Sequence, residues 1–232
     1  MKKRYYIIFC WILFSACATH KGSGNLIRRD IQVTPFDAIE ANGPFEVILT
    51  QGTPSGVVLE IDDNLTEYAE IEVDDETLYA RVDDGSFRDA TFRLLVTVPE
   101  LRSIKAAASA DIRIKGAFKY NRQLFLSSSS GSEISGQVDA PEIEATSSSG
   151  SEINLSGRTK KLNASASSGA SVKAEQLLSE DTDAEASSGA GVYVHASVKL
   201  HAKASSGGKV GYRGGAQVNE SESSGGEVKK EQ

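Results

Sequence analysis

The chain has 232 residues, with 25 Lys and Arg against 32 Asp and Glu and a formal charge of −7, a balance that disfavours a nucleic-acid partner. Its two cysteines, Cys10 and Cys17, both lie near the start, so neither an internal disulfide nor a cysteine-built metal site supports the folded part. The length allows one elongated domain or two closely joined parts, and no Pro/Gly linker divides them.

The chain opens Met1-Lys2-Lys3-Arg4, runs almost wholly apolar from Tyr5 to Phe14, and continues Ser15-Ala16-Cys17. A basic start, a short apolar run and small residues before a cut site describe a secretory signal, and about ten apolar residues are too few to span a bilayer. Cysteine directly after Ser-Ala resembles a bacterial lipobox, in which that cysteine is lipidated and becomes the first mature residue; Phe14 stands where leucine is usual. The expected division is a signal over residues 1–16, then lipidated Cys17 with a flexible tether over 17–29. The alternative is an ordinary signal with Cys17 lost or free. Cys10 leaves with the signal in either case, and the remaining 22 basic and 32 acidic residues carry a formal −10.

Residues 30–100 read as strands without a fixed period. Ile31-Gln32-Val33, Phe45 to Leu49, Val57 to Ile61, Ile71-Glu72-Val73, Leu78 to Val82 and Phe92 to Val98 alternate or are solidly apolar, with turns at Asn42-Gly43, Asp62-Asp63-Asn64, Asp74-Asp75 and Asp83-Asp84-Gly85 between them. Only Asn64 to Ala69 has any helical character.

From 101 to 229 a pattern repeats. Ser-Ser-Gly ends at Gly131, Gly150, Gly169, Gly189, Gly207 and Gly225, spaced 19, 19, 20, 18 and 18 residues apart. Three residues after each glycine stands Ile134, Ile153, Val172, Val192, Val210 or Val228, and one residue after it something small. Offsets of −7, −5, −3, +1 and +3 share one face of extended chain, because strand side chains alternate with period two. One such unit is too thin to bury its apolar face, so the copies must stack as coils of a β-solenoid, each with a contour near 60 Å. The Ser-Ser pair is expected to form two hydroxyl ladders, one inside and one outside, with glycine supplying a positive φ at the corner. Ser109 replaces glycine in a degenerate first copy, and Glu220 and Glu222 at inward sites of the last copy mark an exposed cap.

Phe36-Asp37-Ala38-Ile39, Asn42-Gly43-Pro44-Phe45-Glu46-Val47, Gln51-Gly52, Val98-Pro99-Glu100-Leu101 and the recurring Ser-Gly-x-x-Ile/Val turns resemble the head GIN domain family, described as autotransporter adhesins, many of them lipoproteins of Gram-negative bacteria. The resemblance covers roughly residues 31–228. It implies an all-β, right-handed, single-stranded parallel β-helix over residues 30–232 and brings no catalytic residue with it.

The chemistry-bearing residues have ordinary readings beside the sharper ones. His195 and His201, six apart, could meet a metal, but no cysteine or carboxylate partner is placed with them, so surface histidines are expected and no cofactor. The Asp pairs could bind calcium, yet Asp is common in hairpin turns. Glu133 and Glu152 occupy equivalent outward sites on adjacent coils, where a close pair could serve as acid and base; a solvated ladder is the alternative. Tyr193 and Tyr212 could stack on sugars but stand apart.

Three function classes follow: a non-enzymatic lipid-anchored adhesin or binding module for a glycan or an envelope protein, a structural envelope protein that assembles through an end coil, and, disfavoured, a carbohydrate-active β-helix enzyme. The membrane is reached through the lipid anchor only. Ala18 rather than an acidic residue after Cys17 places the expected address in the outer membrane, facing the periplasm or the surface.

Overall fold

The structure, a computed structural model, describes residues 19–83 and 85–231. The signal segment 1–16 and Cys17 lie outside the described residues.

The strands in chain order are β1 (Thr19–Lys21), β2 (Leu26–Ile31), β3 (Ala38–Asn42), β4 (Glu46–Gln51), β5 (Gly56–Asp62), β6 (Ala69–Asp74), β7 (Thr77–Val82), β8 (Ser86–Arg88), β9 (Phe92–Val98), β10 (Ser103–Ala107), β11 (Asp111–Lys119), β12 (Leu124–Ser128), β13 (Glu133–Ser147), β14 (Glu152–Ala166), β15 (Ser171–Ala186), β16 (Gly191–Ser205), β17 (Lys209–Arg213), β18 (Gln217–Ser223) and β19 (Glu227–Lys230). Among the described residues one 3-10 helix, Asp63–Tyr68, stands where the sequence allows a short helix.

From β10 onward the chain is an all-β solenoid of about six turns. The parallel register puts Ile134 beside Ile153, Ile153 beside Val172, Val172 beside Val192, and Val192 beside Val210. All five are buried. Within each coil the inward residues fall into three groups: in the β13 coil these are Ser132 and Ile134, then Val138 and Ala140, then Ile143, Ala145 and Ser147. The inward run is interrupted at Gly136 and changes phase between Ala140 and Ile143, so the coil turns into three short faces.

Each Ser-Ser-Gly closes a type I′ turn. Ser130 and Gly131 have φ of 54° and 71°, and the next four coils repeat these values within a few degrees. Ser132 N donates to Ser129 O across the turn. Two consecutive left-handed residues aim main-chain groups along the solenoid axis: Gly131 N donates to Ser149 O, Gly150 N to Ser168 O, Gly169 N to Ser188 O and Gly189 N to Ser206 O. The corner is therefore a hydrogen-bonded ladder like the strands on either side. This corrects the expected serine ladders. The first serine of each pair is half-buried, or exposed in the last coil at Ser223, the second is exposed, and neither points into the core. The inward hydroxyls at the corner belong to Ser128, Ser132, Ser147 and Ser151, and the next two coils carry Ala166 with Ala170 and Ala186 with Ala190 there. In the degenerate first copy Ala108 and Ser109 take the same left-handed pair of conformations, at φ of 51° and 72°, without glycine.

Of the aperiodic strands, β2 to β7 and β9 join the same 17-stranded sheet, while β1 and β8 pair apart from it, and spatial order departs from chain order. β3 and β4 form a coil that stacks on β10 and β11 through one edge and on β7 and β9 through the other. The chain thus lays down a middle coil, leaves through β5 and β6, returns to build the coil below it, and then crosses back to start the repeats above. Antiparallel pairings of β5 on β9, β2 on β5 and β6 on β7 close the lower end. Phe45, Phe92 and Leu65 fill that end, where no further coil can cover the core. The upper end stays open: Glu220 and Glu222 are exposed at inward positions, and Glu222 accepts a bond from Val228 N at 2.5 Å. Carboxylates in those places prevent a further coil from stacking dry.

The expected flexible tether is also corrected over residues 19–29. β1 pairs with β8 and β2 with β5. Gly22 lies where any Cβ would come within 2.3 Å of Asp89 O, so this glycine serves close packing rather than flexibility.

Candidate binding face

Outward positions six and four residues before each turn glycine lie on one face of the solenoid, because the inward set at −7, −5 and −3 fixes their direction. Parallel register lines them up across β12, β13, β14, β15, β16 and β18: Phe125, Glu144, Asn163, Asp183, His201 and Asn219 in one row. Ser127, Thr146, Ser165, Glu185, Lys203 and Ser221 form the row beside it by the same pairings. Two depressions of about 450 and 380 Å³ share Glu144 and Thr146, so they make one groove running from Arg102 to Ser221. From β10 to β18 the groove crosses six strand spacings, about 29 Å.

The groove is polar with one aromatic. Phe125 is 42% exposed, beside Arg102 and Lys105 at the lower end. Lys203 Nζ lies 2.9 Å from Glu185 Oε1, and Lys161 at the border lies 3.1 Å from Glu142 Oε1. The Glu142 carboxylate raises the Lys161 ammonium above its ordinary value, with smaller help from Asp183 and Glu144. Among the described residues Glu144 and Asp183 have no ion pair within 4 Å. Carboxylates, amides and hydroxyls spaced by the strand repeat offer hydrogen-bond donors and acceptors at regular intervals, and the exposed ring at one end offers an apolar stacking face.

The residues singled out in the sequence are dispersed. Gly131, Gly150, Gly169, Gly189, Gly207 and Gly225 sit at the turn corner. Glu133 and Glu152 are neighbours in register, but Glu152 holds Lys173 Nζ at 2.7 Å and is no free acid or base. That pair extends a charged row in which Arg93 links Glu46 and Glu60, while Arg113 bonds Glu46 and Asp111. His201 enters the groove, whereas His195 lies on another row, facing Arg213 in register. Among the described residues no three His, Cys, Asp or Glu form a group that could hold a metal ion. Tyr193 lies over Gly191 and Gly211, where a Cβ would meet its ring at 2.8 and 2.7 Å, so its face covers backbone. The Asp62 carboxylate accepts from Gly24 N at 2.6 Å and Thr91 N at 2.8 Å, so this aspartate clamps chain rather than awaiting calcium.

Phe125 and the groove escaped the sequence reading. The one available signal was that Phe125 alone is aromatic where the other coils carry Glu144, Asn163, Asp183, His201 and Asn219.

Fold and face together define a capped β-solenoid with a long polar groove along one side. The chain belongs to the family described as "putative auto-transporter adhesin, head GIN domain", whose model matches residues 35–216. The fold is shared with solved structures. A protein titled a putative adhesin from Bacteroides fragilis is 19% identical, with a TM-score of 0.79 over 91% of this chain and 96% of its own. One titled a putative lipid binding protein from Parabacteroides distasonis is 18% identical, with a TM-score of 0.72 over 93% of this chain and 100% of its own. A third, titled a putative adhesin from Parabacteroides merdae, is 17% identical with a TM-score of 0.68, covering 92% and 99%. No curated protein matches.

Proposed function

We propose that the protein is a non-enzymatic binding module of the bacterial cell envelope, anchored to the outer membrane through lipidated Cys17, and that it holds a glycan chain along the groove. The observation that carries this reading is the exposed Phe125 ring at one end of an in-register row of carboxylate, amide and imidazole groups. The family's description as an adhesin agrees with it. The enzyme alternative has little support, since Glu152 of the one paired-carboxylate candidate is engaged by Lys173. Assembly through the end coil is opposed by Glu220 and Glu222, which make that end unfit for dry stacking.

A glycan-array screen of the domain from Thr19 onward, with and without calcium, tests the reading. Binding to a sugar class that Phe125→Ala weakens at least tenfold, with the melt unchanged, supports it. Silence across the array, or binding indifferent to both Phe125→Ala and Asp183→Asn, rejects the groove as a glycan site.

A further inference from the structure

The N-terminal segment is bonded to the closed end of the solenoid at almost every residue. Gly22 N donates to Arg88 O at 3.1 Å, Ser23 N to Asn64 Oδ1 at 3.0 Å and Gly24 N to Asp62 Oδ1 at 2.6 Å. Ser23 Oγ and Asn25 Nδ2 donate to the two oxygens of Asp63 at 2.6 and 2.7 Å, and Asn64 Nδ2 returns a bond to Lys21 O at 2.9 Å. The His20 ring packs 4.5 Å from Tyr68 and 5.6 Å from Phe87, centroid to centroid. The partners come from the 3-10 helix, the end of β5 and β8, all at the closed end.

We infer that this segment is a rigid mount that sets the closed end of the solenoid against a lipid bilayer and projects the groove away from it. The inference rests on the reading of Cys17 as the lipidated residue. Only Ala18 then separates the anchor from β1, and two residues reach at most about 7 Å. A flexible leash would let the domain lie on any side. With no slack, the 3-10 helix and β8 meet the headgroups, while the open coil of β18 and β19 stands at the far end. The row from β2 through β5, β9, β4, β11, β13, β14, β15, β16 and β17 to β19 takes ten strand spacings, about 48 Å. The groove begins above the closed end and runs along this axis, so a bound chain would point outward from the membrane.

Because Cys10 is lost with the signal and the Cys17 thiol is consumed by lipidation, a cysteine placed in the mature lipoprotein is its only free thiol. Glu67→Cys, exposed in the 3-10 helix, and Ser224→Cys, exposed in the last turn, are labelled with a donor dye and the protein is placed in vesicles carrying acceptor-labelled headgroups. Energy transfer at least fivefold greater from position 67 is expected, and insertion of twelve Gly and Ser residues between Ala18 and Thr19 should erase the difference. Equal transfer from both positions in the native-length protein overturns the mount. Hydrogen exchange on the soluble domain from Thr19 onward tests the mount without any lipid: protected amides at Gly22 and Gly24 support it, and exchange at coil rates rejects it. The mass of the mature N-terminal peptide tests lipidation separately, so failure of the anchor reading is distinguishable from failure of the mount.

Discussion

Ser151 Oγ lies 2.9 Å from Ser147 Oγ inside the coil, and both side chains are buried. The one Ser151 hydroxyl proton is shared between Ser128 O at 2.7 Å and Ser148 O at 2.8 Å, whereas among the described residues Ser147 Oγ has only Ser151 as a partner. One rung higher the same two sites hold Ala166 and Ala170. Ser151→Ala alone strands the Ser147 hydroxyl and should cost about 1–3 kcal/mol. The double variant Ser147→Ala/Ser151→Ala should cost less than that single one, since it reproduces the alanine pair above and both carbonyls keep their main-chain donors. Urea unfolding of the four members of the cycle measures this; additive losses would refute the coupling.

The turn corner separates two kinds of left-handed residue. Gly169 has φ of 70° with open space where a Cβ would stand, so Gly169→Ala should cost about 1 kcal/mol from backbone conformation alone. Ser168 carries φ of 54° without glycine's freedom. Asparagine tolerates that region better and Asn-Gly is the favoured type I′ pair, so Ser168→Asn should stabilise by about 0.5 kcal/mol. Thermal melts of the two variants should move in opposite directions.

How much of this was legible follows from what repetition reveals. The inward frame could be read because a period of two inside a period near nineteen leaves one phase for the apolar sites, and Ile134 through Val210 obey it. The left-handed glycines could be read because glycine's conformational freedom is distinctive. The left-handed serines could not, since serine occurs in every turn type. Nor could the spatial order of the lower coils: β3 and β7 carry no repeat to declare which neighbour each takes, and only their registers reveal it. The groove stayed hidden because outward side chains answer to no packing constraint, leaving Phe125 as a lone irregularity. The tether was misread because Gly22 and Gly24 suggest flexibility, while the groups that pin them, Arg88 O for Gly22 and Asp62 Oδ1 for Gly24, lie far along the chain.

Burial along the Ile/Val row should appear as a gradient of mutational cost. Val172 lies between Ile153 and Val192 and is wholly buried, so Val172→Ala should cost about 2 kcal/mol and Val172→Asp with Val192→Asp should abolish cooperative folding. Val228 is half-buried with a neighbour on one side only, so Val228→Ala should cost less than about 1 kcal/mol. Equal losses from the two alanine variants would mean that the last coil is covered in solution by something else.

Asp63 gives the N-terminal mount a pH dependence whose sign is fixed. Its carboxylate accepts bonds from Ser23 and Asn25, and these hold its pKa below the ordinary 3.8. A carboxyl depressed in the folded state contributes its full stabilisation above the unfolded value, loses it progressively as pH falls below 3.8, and contributes nothing once the folded pKa is passed. The mount should therefore hold unchanged from neutral pH down to about 4 and loosen below that. Titration of the Asp63 carboxyl by NMR should give a midpoint under 3.8, moving back toward it in Ser23→Ala/Asn25→Ala. Amides of residues 22–25 should lose protection over the same acid interval in which that carboxyl titrates, while Val172 in the core stays protected. A midpoint at the ordinary value, or loss of protection that begins at neutral pH, would separate the mount from Asp63 and leave its order to β1, β8 and the His20 stack.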